Sequence, residues 1–170
     1  NGTHIDADII VPATGLDLQL WGNINLSIDG HKVHGNKLTN YKGMMFSQLP
    51  NFVWVFGYTN SSWTLKAELT FDYVCRLLDY MEKNDHDSVY PYRSPDAPRE
   101  NIVGLKSGYI LRKLDELPSQ GSEFPWCNKD LYVKDLLAIK HSKLADNVLR
   151  FDDNKPLADF HKPAANVHSS

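Results

Sequence analysis

Two short segments combine small residues and backbone amides in a way that suits a bound ligand. The first, Gly57-Tyr58-Thr59-Asn60-Ser61, lies between an apolar segment and a helical pattern. Free amides at a helix N-terminus carry partial positive charge, so this turn suits an electron-rich oxygen, such as a phosphate or an isoalloxazine carbonyl. The second, Ala13-Thr14-Gly15, has small side chains that let a ligand approach the backbone. A capped helix and an ordinary turn explain the same residues, and both interpretations stay open.

The remaining reactive side chains favour structural or surface roles. His31 and His34 are three residues apart on a predicted strand, a spacing that sends them to opposite faces and argues against a metal pair. Ser61 lacks the Gly-x-Ser-x-Gly context of a nucleophile. Cys75 and Cys127 are too few for a disulfide framework and too isolated for a zinc site. We therefore assign no catalytic residue and no metal ligand.

The elements that would position these segments begin with strands and a hairpin. Residues 9–11 form a short apolar run that predicts a buried strand. Residues 52–56, all aromatic or β-branched, predict the strongest strand of the chain, buried on both faces. Between them, Asp29-Gly30 supplies the positive φ angles of a two-residue hairpin turn. The hairpin's predicted covered face comprises Leu26, Ile28 and Val33.

A long amphipathic helix follows the 57–61 turn and is predicted to end near residues 83–84. Its apolar residues recur at spacings of three and four, whereas Lys66 and other charged residues take the remaining positions. The predicted apolar face comprises Leu65, Leu69, Tyr73, Val74, Leu77, Leu78 and Met81.

The chain from residue 85 onward is predicted to be irregular. Its proline-rich stretch, residues 90–98, is interpreted as a surface crossing, because proline disfavours helix in the residue before it. Two helices are predicted, a short one over residues 109–114 capped by Ser107 and another over residues 128–141. Beyond Phe151 the polar composition predicts a poorly ordered tail.

Composition limits the classes of function. The chain has 170 residues, 42% of them hydrophobic and 23% charged, which is enough for one domain. Its net charge of −3 argues against nucleic-acid binding, and no apolar run predicts a membrane span. Free thiols and the lack of a secretory signal favour a cytoplasmic protein. The first residue is Asn1 rather than Met, which indicates either processing or a start within a longer protein.

Several motifs occur in one order along the chain, and the most specific is Gly-Tyr-Thr-Asn-Ser-Ser-Trp-Thr-Leu-Lys at residues 57–66. The others include Asp8-x-Ile10-Val11-x-Ala13-Thr14-Gly15, Tyr41-Lys42-Gly43-Met44-Met45, Pro50-Asn51-Phe52, Ser107-Gly108-Tyr109 and Pro125-Trp126. Together they resemble class B flavoprotein monooxygenases, the flavin-containing and Baeyer–Villiger monooxygenases. They are particularly similar to the ethionamide-activating branch of that family.

The resemblance implies an α/β flavoprotein with two dinucleotide-binding domains. In that family NADPH reduces FAD, the reduced flavin takes O2, and a C4a-(hydro)peroxyflavin oxygenates a small-molecule substrate. The oxygen enters a ketone in Baeyer–Villiger chemistry, or a soft heteroatom such as sulfur. The flavin carries the oxygen chemistry, while the protein holds the cofactors and orients the substrate.

The chain departs from the family by what it lacks. It contains no Gly-x-Gly-x-x-Gly fingerprint and no Phe-x-Gly-x-x-x-His motif, both of which lie upstream of the Ala-Thr-Gly strand in the family. It is therefore expected to be the C-terminal portion of such an enzyme. Residues 1–84 would close the FAD-binding domain with its NADPH/FAD crossover strand, residues 85–151 would form a C-terminal extension, and residues 152–170 would be a disordered tail.

The resemblance also suggests roles for matching positions. Ala13, Thr14 and Gly15 would line the cofactor crevice, and residues 57–61 would face the flavin ring. Met44, Met45 and Trp63, with Tyr58, would form walls beside flavin or substrate, although core packing explains such side chains as readily.

The isolated chain is expected to be inactive and to bind FAD weakly or not at all. Because the 52–56 strand and the helix face would lack the sheet they pack against, we also expect exposed apolar surface and self-association. One alternative is a non-catalytic interaction or regulatory module derived from a monooxygenase tail. A generic α/β binding domain with a coincidental resemblance is another.

Overall fold

The computed structural model describes residues 2–15, 17, 19–58, 61–101 and 108–151. The strands in these regions pair into three antiparallel two-stranded sheets. In chain order, the strands and α-helices are β1 Ser27–Ile28, β2 His31–Lys32, β3 Asn40–Tyr41, β4 Met45–Phe46, α1 Trp63–Lys83, β5 Val89–Pro91, α2 Gly108–Leu111, α3 Tyr132–Lys140 and β6 Leu149–Phe151. Two 3₁₀ turns cover Leu20–Asn23 and Gly35–Lys37. The predicted mixture of helices and short strands is confirmed.

The β1–β2 hairpin forms where the sequence predicts it. Asp29 and Gly30 have φ angles of 50° and 81°, as a two-residue turn with positive φ at both positions requires. The strands pair Ile28 with His31, and the Val33 amide donates to the Leu26 carbonyl at 2.9 Å. Val33 is buried, and Leu26 and Ile28 pack against the same core cluster. The predicted covered face is therefore confirmed.

Helix α1 spans 21 residues and begins and ends close to its predicted limits. Its buried face includes Leu69, Tyr73, Leu77 and Met81, which contact the core cluster or lie buried beside it. Leu78 does not belong to this face, because its side chain is 58% exposed. Lys66, predicted among the charged positions outside the apolar face, is 1% exposed.

Two predicted strands do not form. Ile9, Ile10 and Val11 are 81–82% exposed, and the described residues contain no strand paired with them. Residues 52–56 form no strand, and Val55 is 41% exposed rather than buried. A strand needs a ladder of backbone hydrogen bonds, whatever its side chains prefer.

Aromatic packing takes the place of the second predicted strand. The Trp54 amide donates to the Met44 carbonyl at 2.8 Å. The Trp54 ring stacks on Phe56 with centroids 4.8 Å apart, and its centroid lies 5.7 Å from that of Phe46. Side-chain contacts thus hold residues 52–56 against β4.

Residues after 85 also contribute side chains to the core. Strands β5 and β6 pair Tyr90 with Arg150, and Tyr90 is buried at 7% exposure. The predicted surface crossing is therefore wrong at Tyr90 and Pro91, which the β6 partner covers. Helix α3 begins at Tyr132, four residues after the predicted start, and α2 ends at Leu111 rather than residue 114. Ser107 and the tail after Phe151 lie outside the described residues.

Two apolar clusters form the core. The larger joins α1 to β3–β4, β5–β6 and α3, and comprises Tyr41, Met44, Met45, Tyr73, Leu77, Met81, Val89, Ile139 and Leu149. The smaller lies beneath the hairpin and comprises Val33, Leu38, Phe46 and Leu49. Because β4 contributes to both, it links the hairpin to the helices. Among the described residues, no helix combines the length and apolarity that crossing a membrane requires.

Candidate functional site

Gly57, Tyr58 and Ser61 are the residues of the predicted cofactor turn that the structure describes. Gly57 and Tyr58 are buried, and Tyr58 is 1% exposed, whereas Ser61 is exposed. Thr59 and Asn60 lie outside the described residues. The two described residues before Thr59 are therefore buried, and the residue after Asn60 is exposed.

Trp63 packs directly on the turn. A Cβ atom added at Gly57 would overlap the Trp63 side chain, so only glycine leaves room for the indole. The ring also lies 5.1 Å from the Phe56 ring, yet Trp63 remains 60% exposed. The structure thus brings Gly57, Tyr58 and Trp63 together and leaves one side of the indole open. A role as a wall beside flavin or substrate stays a prediction.

A buried ion pair lies directly behind Tyr58. Lys66 Nζ is 2.7 Å from Asp135 Oδ2, and the Tyr58 hydroxyl donates to the same oxygen at 2.8 Å. The Lys66 and Asp135 side chains are 2% and 13% exposed. Burial raises the pKa of Tyr58 well above its ordinary value, and the hydrogen bond to Asp135 adds to the effect. Tyr58 therefore stays a neutral hydrogen-bond donor.

A second buried cation occupies the turn between β3 and β4. Lys42 Nζ contacts Asp146 Oδ2 at 3.3 Å and the Tyr73 hydroxyl at 3.4 Å. It also lies 4.9 Å and 4.8 Å from the ring centroids of Tyr41 and Tyr73. Burial lowers the pKa of Lys42, although Asp146 opposes that shift.

Tyr41 and Tyr73 bind the Lys42–Asp146 ion pair through their hydroxyl groups. The Tyr41 hydroxyl donates to Asp146 Oδ2 at 2.8 Å and lies 3.3 Å from the Tyr73 hydroxyl. Burial raises the pKa of Tyr41 above its ordinary range, and it raises the pKa of Tyr73 to about 12. Both phenols are therefore neutral at physiological pH.

Sequence reasoning missed both buried lysines. The helical pattern placed Lys66 with the charged residues, and nothing marked Lys42 beyond its place in a motif. Their partners, Asp135 and Asp146, are 69 and 104 residues away in sequence. No local pattern could have indicated these pairs.

The other predicted site residues have different surroundings. Met44 and Met45 are each 1% exposed and lie in the larger core cluster, as the core-packing alternative expects. Ala13, Thr14 and Gly15 are exposed, and nothing lies within 4 Å of a Cβ built on Gly15. A contact of any of these five residues with cofactor or substrate stays a prediction.

One open cleft in the described part of the chain is not lined by residues 57–61. It has a volume of about 270 Å³ and is lined by the first 3₁₀ turn, the hairpin and Glu116. None of the predicted site residues lines it. In the described ranges, no group of three or more His, Cys, Asp or Glu side chains is placed to hold a metal ion.

Comparison with curated proteins gives clear relatives. The chain is 46% identical over 152 residues to the FAD-containing monooxygenase EthA of Mycobacterium tuberculosis, and the match covers 89% of this chain and 31% of that protein. It is 43% identical over 154 residues to the probable FAD-binding monooxygenase AlmA of Acinetobacter baylyi, with the same coverage. A putative FAD-containing monooxygenase of M. tuberculosis, MymA, is 39% identical over 155 residues.

The chain spans about a third of the length of these curated relatives. No family model and no solved structure matches it. The resemblance predicted from the motifs is nevertheless confirmed, because three differently named monooxygenases match nearly the whole chain. Over 89% of its length, this chain is a homologue of the FAD-containing monooxygenases and corresponds to 31% of such a protein.

Proposed function

We propose that the chain forms part of an FAD-dependent monooxygenase and contributes the 57–61 turn and Trp63 to its flavin site. The observation that carries the proposal is the 46% identity to an FAD-containing monooxygenase across 152 residues. The geometry adds support, because the buried Gly57 and Tyr58 lead into the N-terminus of a 21-residue helix. Helix N-termini favour electron-rich ligand atoms.

The start of α1 has features that fit such a cofactor. Its N-cap residue, Ser62, makes no side-chain hydrogen bond to the helix amides. The Ser62 hydroxyl instead lies 2.8 Å from that of Thr64. Ser62 therefore does not cap the first-turn amides, and such amides suit an oxygen acceptor such as a flavin carbonyl. FAD, when bound, supplies the oxygen chemistry, while Gly57, Tyr58 and Ser61 hold it and Trp63 shields one side.

The finer assignments rest on the family resemblance. NADPH is the proposed reductant, and a ketone or a soft sulfur centre of a small molecule is the proposed site of oxygenation. Residues 1–84 are proposed to close the FAD-binding domain, and residues 85–151 to form a C-terminal extension. Ala13, Thr14 and Gly15 are proposed to line the cofactor crevice of a cytoplasmic enzyme, with Met44 and Met45 near the substrate.

A chimaera tests the proposed function. The matching 152 residues of the M. tuberculosis EthA relative would be replaced by those of this chain, with the unaltered relative as control. We expect the purified chimaera to carry bound flavin and to oxidise NADPH in the presence of O2. A folded chimaera without flavin would contradict the proposal and favour a non-catalytic interaction module.

The isolated chain is proposed to be catalytically silent, because the dinucleotide fingerprints are missing from its sequence. Its visible absorption spectrum and NADPH consumption test this point. A flavin spectrum together with NADPH oxidation by the purified chain would show that it is active by itself.

The isolated chain is also proposed to self-associate through an apolar stripe along α1. The stripe comprises Trp63, Ala67, Phe71, Val74 and Leu78, which share one side of the helix at spacings of three and four. Trp63, Phe71 and Leu78 are 60%, 54% and 58% exposed. In a solution of the pure chain only a second copy is available to cover this surface. Sedimentation at increasing concentration should show dimers, and a monomer throughout would refute the proposal.

A further inference from the structure

One carboxylate oxygen of α3 binds one residue before Thr59 and one residue after Asn60. Asp135 Oδ2 accepts a hydrogen bond from the Tyr58 hydroxyl at 2.8 Å and one from Lys66 Nζ at 2.7 Å. Tyr58 lies within the turn, and Lys66 lies in the first turns of α1. Asp135 itself belongs to residues 85–151, where the sequence indicates no cofactor contact.

The Lys66 ammonium has little freedom to leave this arrangement. A Cβ added at Gly43, whose φ is +73°, would lie 3.0 Å from Lys66 Nζ and 3.1 Å from Asn128 Nδ2. The Tyr58 ring lies 5.5 Å from the ammonium on another side. A buried cation that loses its paired carboxylate is strongly disfavoured, so Lys66 and Asp135 stay together.

The Asp135 bridge lies next to the contact between Gly57 and Trp63 along the chain. Trp63 is three residues before Lys66 on the same helix, and its indole packs on Gly57, the residue before Tyr58. A shift of Tyr58 away from Lys66 would therefore open the contact between Gly57 and the indole.

We infer that Asp135 is a positioning residue, which fixes Gly57, Tyr58 and Trp63 relative to one another by holding Tyr58 and Lys66 on one oxygen. The inference rests on the proposed function for the role of the turn. The positioning itself is a property of this chain alone, so it is testable without a cofactor. Helix α3, which provides no predicted cofactor contact, thereby contributes to flavin affinity.

The indole resonances of the ¹⁵N-labelled 170-residue chain provide the test. In Asp135→Asn we expect the Trp63 indole to shift or broaden, while that of Trp21, in the smaller core cluster, stays in place. Asp135→Glu, which keeps the carboxylate, should restore most of the Trp63 signal. The matched control is Asp72→Asn, which makes the same chemical change at an exposed position of α1.

A double variant covers the case in which Asp135→Asn fails to fold. Lys66→Met with Asp135→Asn removes both charges, so no buried ion is left unpaired. A shifted Trp63 with an unchanged Trp21 supports the inference. A Trp63 signal like that of the wild type, or global unfolding of the double variant, overturns it. In the latter case the pair supports the whole fold rather than the turn.

The chimaera separates this inference from the proposed function. If the unaltered chimaera binds flavin, Asp135→Asn in it should lower FAD affinity about tenfold or more, equivalent to about 1.4 kcal/mol. Unchanged affinity would overturn the inference and leave the proposed function standing. If the unaltered chimaera binds no flavin, the proposed function fails, while the Trp63 result still decides whether Asp135 positions the turn.

Discussion

Lys42 and Asp146 form a buried ion pair that joins the turn between β3 and β4 to the segment before β6. Their charged atoms lie 3.3 Å apart, and the side chains are 1% and 21% exposed. Asp146 also accepts hydrogen bonds from the amides of Val148 and Leu149 at 3.0 and 3.1 Å. The Asp146 carboxylate thus binds Lys42, Tyr41 of the larger core cluster and two backbone amides at the beginning of β6.

The two members of this pair are expected to respond unequally to substitution. Asp146→Asn leaves the Lys42 cation buried without a counter-charge, which costs about 3–5 kcal/mol of unfolding free energy. Lys42→Met leaves Asp146 with its tyrosine and amide donors, so its cost is about 1–3 kcal/mol. Urea denaturation measures both, with Asp79→Asn on the exposed side of α1 as control. A Lys42→Met variant less stable than Asp146→Asn would contradict this account.

Stability is expected to fall in acid through Asp146. Burial alone would raise the pKa of this carboxyl, but hydrogen bonds from the Leu149 amide and Tyr41, together with Lys42, lower it below its ordinary value. A carboxyl with a lowered pKa in the folded state stabilises the fold above its unfolded pKa of about 3.9 and loses that effect as the pH falls.

The acid prediction is measured as the stability difference between the wild type and Asp146→Asn. This difference should be constant from pH 7 to about pH 5 and shrink below about pH 4. A difference that stays constant down to about pH 2 would show that Asp146 does not titrate with folding.

Gly57→Ala is expected to displace Trp63. The added methyl group would overlap the indole, and forcing extra volume into a packed contact costs about 1–3 kcal/mol. Gly108→Ala is the matched control, because the nearest atom to a Cβ there is 3.8 Å away, on the flexible Arg112 side chain. Urea denaturation and the Trp63 indole resonance measure the change. Equal stability of the two variants would contradict the contact.

Charges in the apolar stripe are expected to weaken self-association. Burying a phenylalanine side chain contributes about 1.5–3 kcal/mol, so Phe71→Glu should raise the dissociation constant about tenfold or more. Lys83→Glu, which also introduces a glutamate but at an exposed position on the opposite side of α1, should leave it unchanged. Analytical ultracentrifugation compares them, and equal dissociation constants for Phe71→Glu and the wild type would place the contact elsewhere.

Local chemistry explains which elements were predictable. The hairpin needs positive φ at two adjacent residues, and Asp29-Gly30 supplies them within four residues of chain. The limits of α1 follow from a periodicity that its own residues display. The motif at residues 57–66 likewise indicates a resemblance to flavin monooxygenases through consecutive residues alone, and the FAD-containing relatives confirm that resemblance.

The conformation of residues 52–56 and the burial of the two lysines depend on tertiary contacts. Whether residues 52–56 become a strand depends on a partner strand, and aromatic packing against β4 took its place. Whether Lys66 meets solvent or a carboxylate depends on Asp135, 69 residues away. The sequence by itself determined the resemblance to FAD-containing monooxygenases, the hairpin and the long helix, because these depend on neighbouring residues. The burial of Lys42 and Lys66 and the support of the 57–61 turn depend on side chains that only folding brings together.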